Sequence, residues 1–228
     1  MTDVIEKNIT ILIPSKSYDE NLQFCILNIR KYYKKIKIVL VLDNPINYKL
    51  DKNIKIIISG NKTIGYKRNL GVKNVNTKFV SLIDSDAYPN SKWLDKVIGL
   101  FKEKKIAAVG GPNLSPRTSN MEKKLVARSR QNSIVTLNNK VKSKSTKRQF
   151  IKFLPSCNMI IKTSIYRKLN GMDPRLYSGE EISLNYKINK NGYRMIFCPT
   201  VFVYHKDIKF KHFARQRFIY GSTGLWLS

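Results

Sequence analysis

Residues 79–86 read FVSLIDSD, an apolar run that ends in two aspartates separated by one serine. The first five residues have the composition of a buried β-strand, and Asp84 and Asp86 follow directly on its end. Carboxylate oxygens are ligands for Mg²⁺ or Mn²⁺, and a cation held there would neutralise the charge of a nucleoside-diphosphate leaving group. The same triplet also forms solvated turns, so its place after a buried strand is what favours a function.

The sequence on either side of this strand alternates short apolar runs with helical patterns. Further buried strands are predicted at residues 9–13, 36–42, 54–58 and 106–109. Helices are predicted between them at residues 20–33, 64–75 and 93–104. This alternation is typical of an α/β fold with a mainly parallel central sheet flanked by helices, in which ligands bind beyond the carboxyl ends of the strands.

The second half of the chain has a weaker pattern. Residues 115–152 are rich in Lys and Arg and predict a helix followed by a mobile basic loop. Order returns at residues 153–162, and the elements predicted after it are helices at 163–169 and 180–191 and strands at 195–197 and 200–204. Residues 209–220 predict an amphipathic basic helix that either packs on the sheet or lies against an anionic membrane. We expect one domain over residues 1–228.

The composition narrows the choice of partners and compartment. The formal net charge of +28 over 228 residues favours an anionic partner, but it does not choose among nucleotides, nucleic acids and acidic lipids. The cysteines, Cys25, Cys157 and Cys198, are widely spaced and flanked by apolar residues, which predicts buried free thiols in a reducing compartment. No secretion signal or apolar run of about 18 residues is visible. We therefore expect a cytoplasmic protein, with peripheral binding at the cytosolic membrane face as an alternative.

A second motif, GYKRNLG at residues 65–71, joins glycines and basic side chains to a predicted helix start, which suits an anionic ligand. With Asp84-Ser85-Asp86, and over residues from about 9 to 221, it resembles the inverting family 2 glycosyltransferases of GT-A fold. The resemblance implies a Rossmann-like half at about 1–112, which binds a nucleotide-sugar donor, and an acceptor-binding half at about 113–228. The donor-binding residues that it implies are Pro14, Ser15, Asp43, Lys67, Arg68, Asn69, Asp84, Ser85, Asp86 and Arg217.

The resemblance also implies the catalytic and metal-binding roles. Glu181 stands where the family has its base, which accepts the proton of the acceptor hydroxyl while the oxygen attacks the anomeric carbon. Asn158 and Glu180 fall on the acceptor side. The implied ligands of a divalent cation, Mn²⁺ or Mg²⁺, are Asp84, Asp86 and His205. The implied acceptor is a saccharide, a polysaccharide or a lipid-linked sugar.

Three other functions remain open at this point. A nucleotidyltransferase would also use paired acids and a metal, but Pro14-Ser15-Lys16-Ser17 lacks the Gly-rich loop that it needs after the first strand. The basic charge and the tyrosines also suit a nucleic-acid-binding module, although no recognised motif predicts a specific nucleic acid. A non-catalytic relative is the third alternative, and the retained Asp84, Asp86 and Glu181 argue against it.

Overall fold

The computed structural model describes residues 2–47, 49–116 and 148–206, together with positions 121 and 214. Most of the predicted basic loop, the predicted amphipathic helix at residues 209–220 and Arg217 lie outside these ranges. Within them, no helix is both long enough and apolar enough to cross a membrane.

The first half of the chain alternates helices and strands, as the sequence predicts. Its elements are α1 (Thr2–Asn8), β1 (Ile9–Pro14), α2 (Glu20–Tyr32), β2 (Lys37–Leu42), β3 (Ile54–Ile58), α3 (Ile64–Lys73), β4 (Phe79–Ile83), β5 (Ala87–Pro89), α4 (Val97–Leu100), β6 (Ile106–Gly110) and β7 (Asn113–Leu114). Helices α2 and α3 begin after capping residues. The side chain of Asp19 accepts from the Leu22 N–H at 3.0 Å, and Thr63 accepts from the Tyr66 N–H at 3.3 Å.

The second half supplies fewer elements, and they complete the same structure. They are β8 (Gln149–Ile151), β9 (Asn158–Lys162), α5 (Thr163–Lys168), α6 (Glu180–Lys190), β10 (Arg194–Phe197) and β11 (Val203–His205). Helix α6 begins after Gly179, whose φ of 77° lies in the left-handed region. Glycine adopts this conformation without the clash that a Cβ would cause, so the chain turns sharply into α6.

The central sheet has eight strands in the order β3-β2-β1-β4-β9-β6-β10-β8. Strands β1 to β4 pair in parallel, and so do β6 and β10. Strand β9 runs antiparallel between β4 and β6, and β8 is antiparallel at the edge. The predicted mainly parallel sheet is confirmed, and β9 from the second half lies directly beside β4.

The two faces of the sheet form two apolar clusters. Ile11 and Ile13 of β1 pack into one cluster with side chains of α2 and α4, whereas Leu12 packs into the other with α3, α5 and α6. Burial on both faces explains why the strands read as unbroken apolar runs. Helix α3 lies so close to β1 that a Cβ on Gly71 would come within 2.3 Å of a Leu12 methyl carbon.

A second, three-stranded sheet has the order β5-β11-β7, which the sequence did not predict because strands of two or three residues show no periodicity. Its pairing places His205 opposite Ala87. Other predicted bounds also change. The helix predicted at 93–104 is α-helical only over Val97–Leu100, with turns on either side, and the strand predicted at 200–204 begins at Val203 and includes His205.

Candidate active site

The aspartates of the first motif lie on a turn between β4 and β5. The Ala87 N–H donates to the Asp84 carbonyl at 3.1 Å and closes this turn. Because β11 pairs with β5, the His205 imidazole lies beside both carboxylates. Its Nε2 is 3.6 Å from an Asp84 oxygen and 3.4 Å from an Asp86 oxygen. The structure therefore brings together two acids and an imidazole that are about 120 residues apart in the chain, a grouping that only the family resemblance had implied.

The guanidinium group of Arg68 joins this turn to the start of α6. Its Nη2 donates to Asp84 at 2.7 Å, and its Nη1 donates to Glu180 at 2.6 Å. Only 2% of Arg68 is exposed, and burial lowers its pKa, but the two carboxylates outweigh burial and raise the pKa above its ordinary value. For Asp84 the directions are opposite. Burial raises its pKa, but the hydrogen bonds and charges of His205 and Arg68 outweigh burial and lower the pKa to about 2. We call Arg68, Asp84 and Glu180 the reaction edge.

The two glutamates at the start of α6 have different surroundings. Glu180 is buried and paired with Arg68. Glu181 is half-buried and forms no ion pair with any residue in the described part of the chain. Burial first, and then the charge of Glu180, raises the pKa of Glu181 from its ordinary value of 4.5 to about 7. Near neutral pH the Glu181 carboxylate is therefore poised to accept a proton.

Lys67 joins the ends of the first two strands. Its ammonium group donates to the Ser15 carbonyl at 2.8 Å and forms an ion pair with Asp43, and only 1% of Lys67 is exposed. Pro14 ends β1, and the Ser15 N–H donates to the Val41 carbonyl of β2 at 3.0 Å. We call Ser15, Asp43 and Lys67 the nucleotide edge, because strand ends of this kind are where nucleotides bind in α/β folds.

Two of the predicted site residues have their polar groups turned into the protein. The Asn69 amide donates to the Met172 carbonyl at 2.8 Å and accepts from the Met172 N–H at 3.0 Å and the Tyr166 hydroxyl at 2.7 Å. Asn158 is 0% exposed, and its amide accepts from Trp93 Nε1 and donates to the Val201 carbonyl, each at 2.8 Å. These contacts position β9 and the segment before α6.

The residues at the β4 turn fit a divalent cation. Asp84 and Asp86 each place a carboxylate oxygen within 3.6 Å of the His205 Nε2. The Nδ1 of His205 lies 3.0 Å from the Lys206 carbonyl, which can only accept a hydrogen bond. Nδ1 therefore carries a hydrogen, and when the imidazole is neutral its Nε2 has no proton and can bind a cation.

The sequence missed one residue of this site. Cys157 was expected to be buried, but it is half-exposed, unlike Cys25 and Cys198, and its sulfur lies close to the ligand atoms of Asp84 and His205. The available signal was its position next to Asn158, which the family resemblance places on the acceptor side. Strand β9, which starts at Asn158, brings Cys157 to the end of β4.

The fold and the site together define a class of protein, the glycosyltransferases of GT-A fold. The aspartate turn follows β4 of an α/β sheet, and Glu181, whose pKa is raised, lies in the first turn of α6. The chain belongs to Glycosyl transferase family 2, whose sequence profile matches residues 10–169, more than half of its length.

Known proteins resemble the chain in sequence and in fold. The pre-mycofactocin glycosyltransferase of Mycobacterium tuberculosis is 24% identical over 165 residues, which cover 68% of this chain and 33% of the relative. The chain thus spans about a third of the length of that relative. Solved structures share the fold at low identity. TarS 1–349 of S. aureus in complex with UDP-GlcNAc has a TM-score of 0.67 and 16% identity, and covers 91% of this chain and 60% of its own.

A second solved structure is the mannosyltransferase PcManGT from Pyrobaculum calidifontis in complex with GDP-Man and Mn²⁺. Its TM-score is 0.64 at 16% identity, over 93% of this chain and 60% of its own. A third is GalNAc-T7 with UDP, GalNAc and Mn²⁺, with a TM-score of 0.65 at 14% identity, over 87% of this chain and 44% of its own. At these identities the likeness establishes the GT-A fold.

Proposed function

We propose that the chain transfers a sugar from a nucleoside-diphosphate sugar to a hydroxyl group of a saccharide or lipid-linked acceptor, with inversion at the anomeric carbon and with a divalent cation. The observation that carries this proposal is the fork of Arg68. One buried guanidinium group holds the Asp84 turn and the start of α6 in one arrangement, with Glu181 beside it. A cation site and a base for the acceptor then lie on either side of one reaction centre.

The donor would bind across the nucleotide edge and the β4 turn. Pro14, Ser15 and Asp43 lie at the ends of two neighbouring strands, where the nucleoside is expected, and Asp84, Ser85 and Asp86 follow the end of β4, where the diphosphate is expected. Structures of this fold contain UDP-GlcNAc or GDP-Man, which supports a nucleotide-sugar donor here. Lys67 and Arg68 would act on the donor through the acids that they orient, since both cations are buried against carboxylates. Arg217, outside the described residues, remains a predicted diphosphate contact.

Asp84, Asp86 and His205 would hold the cation. When bound, a cation there supplies Lewis-acid neutralisation of the charge on the departing diphosphate. Mn²⁺ accompanies two of the structures of this fold, and carboxylates with one imidazole suit Mn²⁺ better than Mg²⁺ because imidazole is the softer ligand. Asp84 would also keep Arg68 in place, since one of its oxygens accepts from the guanidinium group.

Glu181 would be the catalytic base. Its carboxylate would accept the proton of the acceptor hydroxyl as that oxygen attacks the anomeric carbon from the side opposite the diphosphate. A single displacement of this kind inverts the anomeric configuration. Glu180 and Asn158, predicted on the acceptor side, would be positioning residues, because Glu180 is paired with Arg68 and Asn158 is fully buried. Association with an anionic membrane through residues 209–220 remains a prediction.

The test measures binding and hydrolysis of a panel of nucleotide sugars, with and without Mn²⁺, for the wild type and for Asp86→Ala. We expect one donor to bind or turn over only with Mn²⁺, and Asp86→Ala to abolish this. Arg175→Ala, which changes a side chain that is 87% exposed and pairs only with Asp173 among the ion pairs of the described residues, is the control and should behave as the wild type. If no nucleotide sugar binds in the presence of Mn²⁺ or Mg²⁺, the proposed function is wrong.

A further inference from the structure

The sulfur of Cys157 belongs to a group of three potential ligands at the end of β4. The ligand atoms of Asp84, Cys157 and His205 all lie within 4.8 Å of one another. Around a tetrahedral Zn²⁺, with bonds of about 2.0–2.3 Å, two ligand atoms are about 3.5 Å apart. The 3.6 Å between Asp84 and His205 already matches this separation. A small rotation of the half-exposed Cys157 side chain would bring the sulfur to it.

Each of the three ligand atoms is oriented by a second contact. The Asn113 amide donates to the Cys157 sulfur at 2.8 Å, an arrangement that stabilises a negative charge on sulfur. The His205 Nδ1 contacts the Lys206 carbonyl. Asp84 Oδ1 accepts from Arg68, and Asp84 Oδ2 faces the His205 Nε2. Contacts of this kind fix the ligands of metal sites in proteins.

The chemistry of the three ligands differs from that of an aspartate turn alone. Carboxylate oxygens bind hard cations such as Mg²⁺ and Mn²⁺, whereas a thiolate selects Zn²⁺ and other softer ions. One carboxylate, one imidazole and one thiolate form a donor set that is typical of zinc. Because Asp84 and His205 are shared with the proposed site of the activating cation, both ions cannot bind there together.

We propose that Asp84, Cys157 and His205 form a zinc-selective site that overlaps the site of the activating cation, so that Zn²⁺ displaces that cation and inhibits transfer. Zinc binding stands on the three side chains alone. The inhibition rests on the proposed function, because it needs a cation-dependent transfer to inhibit. The other two cysteines serve as internal comparisons, since Cys25 and Cys198 are both buried.

Cobalt reports the sulfur ligand directly, because a thiolate bound to Co²⁺ gives a charge-transfer absorption in the near ultraviolet. We would titrate the metal-free chain with Co²⁺ in the absence of any nucleotide sugar. The wild type and Cys198→Ser should develop this absorption, and Cys157→Ser and Cys157→Ala should not. If the wild type binds Co²⁺ without the absorption, or if Cys157→Ser retains it, the proposed site is wrong.

Calorimetry then tests selectivity on the same proteins. Cys157→Ser should lower the affinity for Zn²⁺ by about tenfold or more and leave the affinity for Mn²⁺ almost unchanged. An equal loss for both ions, or no loss for Zn²⁺, would overturn the selectivity. With a donor that the wild type turns over, Zn²⁺ should inhibit the wild type at lower concentration than Cys157→Ser. A cobalt absorption that depends on Cys157, in a chain that transfers no sugar, would overturn the proposed function and keep the zinc site.

Discussion

The nucleotide edge and the reaction edge are each built on a buried cation, and the two cations are neighbours on α3. Lys67 joins the ends of β1 and β2, which lie within the first 43 residues. Arg68 joins the β4 turn to Glu180, which follows it by 112 residues. The first edge is therefore complete within the regular first half of the fold, whereas the second exists only when the two halves share one sheet. A change at Arg68 should cost more than the same change at Lys67.

The largest effect is expected from Arg68→Met. This substitution leaves the carboxylates of Asp84 and Glu180 without their shared partner, and breaking a buried ion pair costs about 3–5 kcal/mol. We expect a much lower midpoint of chemical unfolding and no measurable transfer. Arg68→Lys, which keeps the charge but cannot contact both acids as a fork does, should recover part of the stability. Wild-type stability in Arg68→Met would show that the two halves are held together elsewhere.

Lys67→Met should have the smaller effect of the two. It leaves one carboxylate, that of Asp43, without its partner, whereas Arg68→Met leaves two, so the expected loss of stability is smaller, about 1–3 kcal/mol. The affinity for the donor should fall, because Ser15 and Asp43 lose the group that holds them together, while turnover of bound donor stays close to the wild-type value. Kinetics at saturating and at low donor concentration separate these effects. A loss of turnover equal to that of Arg68→Met would remove the distinction between the edges.

The dependence on pH distinguishes Glu181 from Asp84 of the reaction edge. Glu181 must be ionised to accept a proton, so kcat/KM should fall about tenfold for each pH unit below about 7. The pKa of Asp84, about 2, lies far below this range and adds no second step. A profile that is flat from about pH 5.5 to about pH 8 would rule out Glu181 as the base with the raised pKa.

Glu181 and Asp84 should also affect stability in opposite directions. The pKa of Glu181 is raised from 4.5 to about 7, so its contribution to stability is present below about pH 4.5 and is lost as the pH rises to about 7. The pKa of Asp84 is lowered from 3.8 to about 2, so its contribution is present above about pH 3.8 and is lost as the pH falls towards 2. Unfolding measured across both windows should show the Glu181 change in the wild type and not in Glu181→Gln.

The smallest effect is expected from Arg175→Ala. Arg175 pairs with Asp173 at 2.7 Å, as short as the contact between Arg68 and Asp84, but its side chain is 87% exposed. Solvent screens such a pair, so the melting temperature should stay within error of the wild type. A clear destabilisation would mean that contact distance, rather than burial, sets the strength of these pairs.

The sequence predicted the parts of this structure that depend on local pattern. The strands β1 to β4 and the aspartate turn followed from unbroken apolar runs and the polar residues after them. The partners of Lys67 and Arg68 did not, because the sequence shows two basic residues at a helix start and cannot show that acids 24 residues before and 112 residues after reach them. Both were interpreted as ligands for an outside anion.

Two further features depended on pairing between distant segments. The short strands β5, β7 and β11 have too few residues for a period, so the position of His205 beside the aspartates came from the family resemblance alone. Cys157 reaches the same place through the register of β9 against β4, which no spacing in the sequence reveals. Helix periodicity was also misleading at residues 93–104, where turns replace most of the predicted helix.

The central claim is that Glu180 and Glu181, adjacent and chemically identical, have different roles. The most direct test measures transfer rate, donor affinity and melting temperature for Glu180→Gln and Glu181→Gln side by side. We predict that Glu181→Gln keeps the donor affinity and the melting temperature and lowers the rate about 10²- to 10⁴-fold, as expected when a general base is lost. Glu180→Gln, which removes a partner of Arg68, should lower the melting temperature and retain more of the rate. A wild-type rate in Glu181→Gln would contradict the account.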